Sequence, residues 1–195
     1  MGDPALKTDE HYTYRDYATW PDDERRELID GEAMAMAAPS AAHQRILGRL
    51  FRAFADYFDD KPGEVLFAPF DVLFPEGDES DDDVDTVLQP DLMVFCDGGK
   101  VLEKYGRGAP DLVIEILSPS TSKWDQNNKW RRYERAGVRE YWVVDPKGRW
   151  ICVYSLTASG KFDERGDLYE PLTPRGPVPS KIFEGLTVDP LKLFA

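Results

Sequence analysis

The chain has few of the residues on which several common types of site depend. It contains 2 cysteines and 2 histidines among 195 residues, which argues against a zinc site built from these side chains. Cys96 and Cys152 each lie in an apolar, strand-like run, so we expect core thiols in a reducing cytoplasm. There is no run of 18 apolar residues, and no membrane span is expected. Residues 1–10 lack a basic segment followed by an apolar one, so no secretory signal is predicted.

Basic residues are outnumbered by acidic ones. Lysine and arginine total 24 against 37 aspartates and glutamates, which gives a net charge of −13. This balance argues against nonspecific coating of nucleic acid, because contacts to phosphate need cations. Residues 71–85 hold eight of the acids and no base, and we interpret them as a solvated loop. Residues 123–139 carry six bases and two acids, a composition that predicts a local basic face.

The hydrophobic pattern predicts a single domain, residues 1–195, in which helices pack on a sheet. Apolar residues recur at helical spacing from Ile46 to Phe58, behind Ser40 as the N-cap. Trp124 to Arg135 predicts a second helix, which Gly137 ends. Strand-like runs are predicted at residues 27–29, 32–36, 65–74, 87–95, 112–117, 139–144, 150–156, 169–172 and 186–188. The expected fold class is therefore α/β, of the α+β type, with one central mixed β-sheet flanked by helices.

Two carboxylates stand out in this pattern. Asp91 begins the apolar run Leu92 to Phe95, and Glu115 lies inside the apolar run 112–117. A carboxylate on an apolar strand face is costly to bury unless it is paired or binds a cation. The pattern alone leaves two interpretations open, a buried salt bridge to an arginine and a site for Mg²⁺, which prefers oxygen ligands.

The helix after Glu115 presents a lysine. Asp125, Lys129 and Arg132 share one face, and the first turns of this helix follow directly on the Glu115 strand. Lys129 is therefore expected to point toward the carboxylates, although a surface ion pair with Asp125 is the alternative. His43, in the first turn of the long helix, is either a surface or capping residue or a group that orients water or contacts phosphate.

A specific pattern of residues follows Glu115, and shorter matching segments occur near the N-terminus. Its members are Ser118-Pro119-Ser120-Thr121, Asp125, Lys129, Tyr133, Ala136-Gly137-Val138, Glu140-Tyr141-Trp142, Val144-Asp145-Pro146, Glu27-Leu28-Ile29-Asp30-Gly31-Glu32 and His43. In these residues the chain resembles a bacterial family of restriction endonucleases that is expanded in cyanobacteria and is placed in the PD-(D/E)XK superfamily. The resemblance covers roughly residues 12 to 190, and it implies a restriction-endonuclease-like core.

The resemblance also implies a site and a reaction. Pro90-Asp91 matches the "PD" and Glu115 the "(D/E)", but Leu117 occupies the usual lysine position. Lys129 is the replacement that we expect, with Lys123 as the runner-up.

The reaction implied is metal-dependent hydrolysis of nucleic acid, with DNA favoured over RNA. The two thiols predict a cytoplasmic protein, and the need for two sites to cut both strands of a duplex predicts a homodimer. Asp91, Glu115 and the Ile116 carbonyl would hold Mg²⁺, or alternatively Mn²⁺, and Lys129 and His43 would assist catalysis. The rival hypothesis is a nuclease fold without turnover that binds nucleic acid or a protein.

Overall fold

Helices and strands alternate along the chain in a computed structural model, which describes residues 11–21, 25–118, 123–172 and 175–195. The helices are α1 (Tyr14–Tyr17), α2 (Ala41–Phe58), α3 (Lys123–Ala136) and α4 (Pro190–Leu193). The strands are β1 (Arg26–Ile29), β2 (Glu32–Ala35), β3 (Glu64–Phe67), β4 (Asp71–Leu73), β5 (Val87–Leu88), β6 (Leu92–Phe95), β7 (Tyr105–Arg107), β8 (Leu112–Ile116), β9 (Glu140–Asp145), β10 (Trp150–Ser155), β11 (Asp167–Tyr169), β12 (Val178–Pro179) and β13 (Thr187–Val188).

Six strands form a central mixed sheet in the order β11-β10-β9-β8-β6-β3. The pairs β3–β6 and β6–β8 are antiparallel, whereas β8 pairs in parallel with β9. Two consecutive parallel strands need a crossover connection, and α3 provides it. The strand β10 then returns antiparallel to β9 through a turn in which Asp145 Oδ1 accepts hydrogen bonds from the amides of Lys147 and Gly148. The predicted class, a mixed sheet flanked by helices, is confirmed.

The sequence predicts one sheet, and the structure adds a second sheet of five strands in the order β2-β1-β5-β4-β7. Two segments predicted as single strands are divided between the sheets: residues 65–74 into β3 and β4, and residues 87–95 into β5 and β6. Each division contains a proline, Pro69 or Pro90, which has no N–H to donate to a ladder. The chain therefore crosses from one sheet to the other at Gln89-Pro90-Asp91. A further pair, β12–β13, lies in the tail.

The two faces of the central sheet are covered by different elements. On one face, Leu92 and Val94 pack with the apolar stripe of α2. On the other face, Met93 and Phe95 pack with Tyr133 of α3 and with apolar residues of the second sheet. Alternate residues of a strand point to opposite faces, so each strand of this sheet contributes to both cores.

The helix ends follow the sequence signals. Ser40 is the N-cap of α2, and its hydroxyl accepts a hydrogen bond from the amide of His43. The helix α3 ends before Gly137, whose φ of +86° lies in the left-handed region that favours glycine. Both predicted helix ends are confirmed. They determine where α2 begins and where α3 ends.

The two cysteines differ from each other. Cys152 is buried as predicted, but Cys96 is exposed, because β6 ends at Phe95 and the chain leaves the core there. In the described part of the chain, no helix has the length and apolar character needed to cross a membrane.

Candidate active site

Three charged side chains from three different elements meet in the interior. The Nζ atom of Lys129, on α3, lies 2.8 Å from Oε1 of Glu27 on β1. It also lies 3.2 and 3.4 Å from the two carboxylate oxygens of Glu115 on β8. The Lys129 side chain is 8% exposed and that of Glu27 is 4% exposed. A surface position for Lys129 is thus excluded, and the lysine lies between two carboxyl groups.

Asp91 and His43 form a second contact in the same region. Nε2 of His43 lies 3.1 Å from Oδ1 of Asp91, and Oδ2 of Asp91 accepts a hydrogen bond of 2.7 Å from the amide of Ile116. His43 is buried, so the surface interpretation of this residue is wrong. Its Nδ1 is buried without a hydrogen-bond partner among the described residues. Each Asp91 oxygen has one donor and keeps a further lone pair for another ligand.

Glu115 is held by the core that surrounds it. It shares a strand face with Val113, as the alternation along β8 predicts, and this face packs against α3. The hydroxyl of the fully buried Tyr133 donates to Oε1 of Glu115, so this tyrosine is a core residue that also orients the carboxylate. Burial raises the pKa of Glu115 to about 8; Lys129 acts in the opposite direction, and the charges of Asp91 and Glu27 raise it further.

Glu27 is positioned by the junction between the two sheets. Its Oε1 accepts a hydrogen bond of 2.9 Å from the amide of Gln89. The side chain of Gln89 is itself fixed, because its oxygen accepts from Arg25 and its nitrogen donates to Asp71 and Tyr17. This network ties the carboxylate that contacts Lys129 to strands of the second sheet.

These residues surround a cleft of about 210 Å³ that opens to solvent. Its walls contain all four side chains that were predicted as catalytic, together with the backbone of the strand end that follows Glu115. The charged and polar groups around the cleft come from Arg25, Glu27, His43, Gln89, Asp91, Glu115, Ile116 and Lys129. The carboxylates, the lysine and the histidine therefore line one solvent-open cleft.

Sequence reasoning missed Glu27 as a member of this cluster. The signal that could have found it is the one used for Glu115, a carboxylate in a short run that is buried throughout. It was obscured because Arg25 and Arg26 precede Glu27 and give the segment a charged appearance. Lys123, the runner-up for the lysine, has a side chain outside the described residues, as does Asp125. Residues 119–121 of the Ser-Pro-Ser-Thr motif are outside them altogether.

The chemistry of the donors fits a hard divalent cation. The carboxyl groups of Glu27 and Glu115 face one ammonium group, and Asp91 lies in the same cleft. Burial raises the pKa of Glu115, and the charges of Asp91 and Glu27 raise it further. A bound cation would reverse that effect, since it favours the ionised carboxylate. Considering only the residues described, no group of three or more His, Cys, Asp and Glu side chains is arranged to hold a metal ion alone. Mg²⁺ typically uses one or two carboxylates and keeps several waters, so Asp91 and Glu115 with waters are a suitable set.

The predicted basic face of residues 123–139 is largely neutralised. Arg132 is buried and contacts Asp30 and Glu76, and Arg135 also contacts Glu76. A buried guanidinium must be paired, and the acidic segment supplies the partner. Asp81 of the same segment pairs with Arg107 at 2.6 Å. The acidic residues 71–85 are thus partly a structural element that binds α3, rather than only a solvated loop.

The fold and the cleft together define a restriction-endonuclease-like domain. Its central sheet combines antiparallel strands with one parallel pair, β8 and β9, which α3 connects, and Glu115 and Lys129 meet beside the end of β8. Residues 14–189 match the model of the Uma2 family, described as "Putative restriction endonuclease", and the chain belongs to this family.

Individual relatives agree with this assignment. Two uncharacterized proteins of Synechocystis sp. are similar to the chain. One is 28% identical over 148 residues, which is 74% of each chain; the other is 26% identical over 125 residues, 63% of this chain and 67% of the relative. A crystal structure described as a "putative nuclease belonging to DUF820", from Anabaena variabilis, has a TM-score of 0.73 at 20% identity, and the match covers 93% of this chain and 97% of that one. At this identity the likeness supports the fold.

Proposed function

We propose that the protein is a metal-dependent nuclease that hydrolyses phosphodiester bonds of DNA. The observation that carries the proposal is the position of Lys129, whose ammonium lies between Glu27 and Glu115 in the cleft that also contains Asp91. A buried cation surrounded by more carboxylates than it can neutralise is a poor stabilising device. It is a suitable arrangement for a site that gains a divalent cation and an anionic substrate.

Asp91, Glu115 and the carbonyl of Ile116 are the proposed ligands of Mg²⁺, or alternatively Mn²⁺. When bound, the metal would lower the pKa of a coordinated water and neutralise charge on the scissile phosphate. Asp91 is prepared for this role because the Ile116 amide and the His43 imidazole fix its carboxylate in one orientation. Such neighbouring contacts typically determine how a ligand is presented to a metal.

The remaining residues act on charge and position. The Lys129 ammonium is placed to orient the attacking water or to stabilise negative charge that develops on the phosphate. Glu27 holds Lys129 in place by accepting a hydrogen bond from its ammonium group. Tyr133 holds Glu115 in place by donating a hydrogen bond to its carboxylate. His43 is proposed to assist by holding the Asp91 carboxylate in one orientation.

DNA is proposed as the substrate because the family to which the chain belongs is one of restriction endonucleases. We also propose a homodimer, the commonest symmetric assembly of soluble proteins. A cytoplasmic location is proposed because both cysteines are free thiols, as expected in a reducing compartment.

A nuclease assay on single-stranded and duplex DNA and on RNA, with Mg²⁺ or Mn²⁺ and with chelator, tests the proposal. We expect metal-dependent cleavage of DNA that Asp91→Ala and Glu115→Ala each abolish. Asp60→Ala, which removes an 81% exposed carboxylate, is the matched control and should retain full activity. Metal-independent cleavage, or cleavage that survives Asp91→Ala, would refute the assignment. Binding of DNA without cleavage under any metal would favour the rival hypothesis of a binding module.

A further inference from the structure

A second cavity, of about 420 Å³, adjoins the active-site cleft. Its walls come from α1, from the segment before β1, from the junctions that flank β4 and β6, and from the loop before β7. The lining residues are Tyr14, Tyr17, Ala18, Trp20, Pro21, Arg25, Arg26, Pro69, Asp71, Gln89 and Lys104. The chemistry of the proposed reaction uses none of the aromatic residues among them.

Aromatic rings form one wall of this cavity. Tyr14, Tyr17 and Trp20 are all partly exposed, and the ring centroids of Tyr17 and Trp20 are 5.3 Å apart. The guanidinium of Arg26 lies 5.2 Å from the Trp20 centroid and supports this ring. Partly exposed rings next to a cavity offer flat faces on which another ring can stack.

The polar groups of the cavity favour an anion over a cation. Asp71 is its acidic lining residue, and its Oδ1 already accepts hydrogen bonds from Tyr17 and Gln89. Arg25 lies in the wall, with its side chain held by Gln89. At the rim, the exposed Lys104 has no hydrogen bond or ion pair with any residue that the structure describes. The cavity thus combines aromatic faces with a cation available at its edge.

The cavity and the active-site cleft share walls. Arg25 and Gln89 line both spaces. The amide of Gln89 also donates to Glu27, which contacts Lys129. A polymer whose phosphate lies beside Lys129 therefore passes Gln89 and can place its adjoining residue in the aromatic cavity.

We propose that this cavity binds the nucleobase of an unpaired nucleotide next to the scissile phosphate. The inference rests on the proposed nuclease function and names its substrate class as single-stranded or locally unpaired nucleic acid. Stacking on aromatic rings together with cations along the backbone is how proteins bind single strands without reading their sequence. A base inside a duplex is stacked and paired and cannot enter a side cavity unless it leaves the helix.

The first test measures binding without turnover, in chelator, by fluorescence anisotropy. The probes are a labelled single strand of about 12 nucleotides, within the range of single-strand site sizes, and the corresponding duplex. Trp20→Leu should weaken binding of the single strand by about 5- to 150-fold, the range for loss of one base–aromatic stack. Tyr57→Ala is the matched control, because Tyr57 is also a half-exposed ring under a cation, Lys61, but lies at the opposite end of α2 from His43. Unchanged single-strand affinity in Trp20→Leu, or an equal loss for the duplex, would overturn the inference.

Turnover separates this inference from the proposed function. A single strand of abasic nucleotides carries phosphodiesters without nucleobases, and kcat/KM is compared between it and the ordinary single strand. We expect kcat/KM for the ordinary single strand, divided by kcat/KM for the substrate without nucleobases, to fall in Trp20→Leu by the same factor as the binding affinity. In Tyr57→Ala this ratio should be unchanged. A wild-type protein that cleaves neither of these strands and does not cleave duplex DNA with Mg²⁺ or Mn²⁺ refutes the proposed function, while the anisotropy result still decides the cavity.

Lys104→Gln provides a variant that cannot disturb folding through lost contacts. One phosphate contact fewer should reduce the slope of log K against log salt for the single strand by about 0.7. A slope and an affinity equal to those of the wild type would show that the rim of the cavity does not meet the strand, and the inference would fail.

Discussion

Replacing Lys129 by alanine is the most informative single change in this protein. The substitution removes one buried ammonium group and leaves Glu27 and Glu115 facing each other without the cation that lies 2.8 and 3.2 Å from them. Lysine is not a proposed metal ligand, so the variant should still bind Mg²⁺. Catalysis should nevertheless fall, because the group that faces the water and the phosphate is gone.

The size of both effects can be worked out from the structure. Removing one partner of a buried ion pair costs about 3–5 kcal/mol. For a chain of this length, about 2–4 °C of Tm correspond to each kcal/mol, so the metal-free variant should melt about 6–20 °C lower. The lower end is favoured, because the pKa of Glu115 is already raised to about 8 and this carboxyl can take up a proton in place of the lysine. Turnover should fall by about 10²–10³, as on loss of one donor to a developing charge.

Two measurements check this reasoning: thermal unfolding in chelator and in Mg²⁺, and kcat on DNA. Mg²⁺ should raise the Tm of Lys129→Ala by more than that of the wild type, since the ion replaces the missing positive charge. Lys129→Arg should restore little activity, because a planar guanidinium does not replace a compact ammonium. If Lys129→Ala keeps its Tm and its kcat, the account of the cluster is wrong. If Lys123→Ala abolishes cleavage instead, the catalytic lysine is Lys123.

Three further predictions follow from other features. Burial raises the pKa of Glu115 from 4.5 to about 8 in the folded protein, so folding takes up a proton between these pH values. The free energy of unfolding in chelator should therefore fall as pH rises from about 4.5 to 8. Urea titrations of Glu115→Gln should lack this fall. Glu140 is fully buried and accepts hydrogen bonds from Trp142, Ser180 and the amides of Lys181 and Ile182. Glu140→Ala should lower the free energy of unfolding by about 3–5 kcal/mol, because several buried donors lose their acceptor, and Glu140→Gln should lower it less. A loss below about 1 kcal/mol for Glu140→Ala would contradict this. Light scattering should give about 44 kDa, a symmetric dimer of the 22.2 kDa chain, and a constant 22.2 kDa at micromolar concentrations would exclude the dimer.

The sequence predicts best what is encoded locally. Glu115 and Lys129 are 14 residues apart in the chain, and the apolar run on both sides of Glu115 shows which face its carboxylate takes. The helix signals Ser40 and Gly137 are likewise local, and the structure has both helix ends where they predict them.

What could not be predicted depends on contacts between distant segments. Glu27 lies 102 residues before Lys129, and no periodicity in either segment indicates that they meet. The division of residues 87–95 between two sheets also has no local signal beyond Pro90, since all of Val87, Leu88 and Leu92 are equally buried. The apparent basic face failed for the same reason, because the acids that neutralise Arg132 come from other parts of the chain.

The crossing at Gln89-Pro90-Asp91 has a consequence for a newly made chain. Glu27 belongs to the second sheet, Glu115 to the central sheet, and Asp91 to the connection between them. A folding intermediate in which only one sheet has formed therefore has an incomplete set of charged groups. Synthesis must also reach α3 before Lys129 exists. Under the proposed nuclease function, an incomplete or misassembled chain therefore lacks the full set of groups needed to cleave nucleic acid.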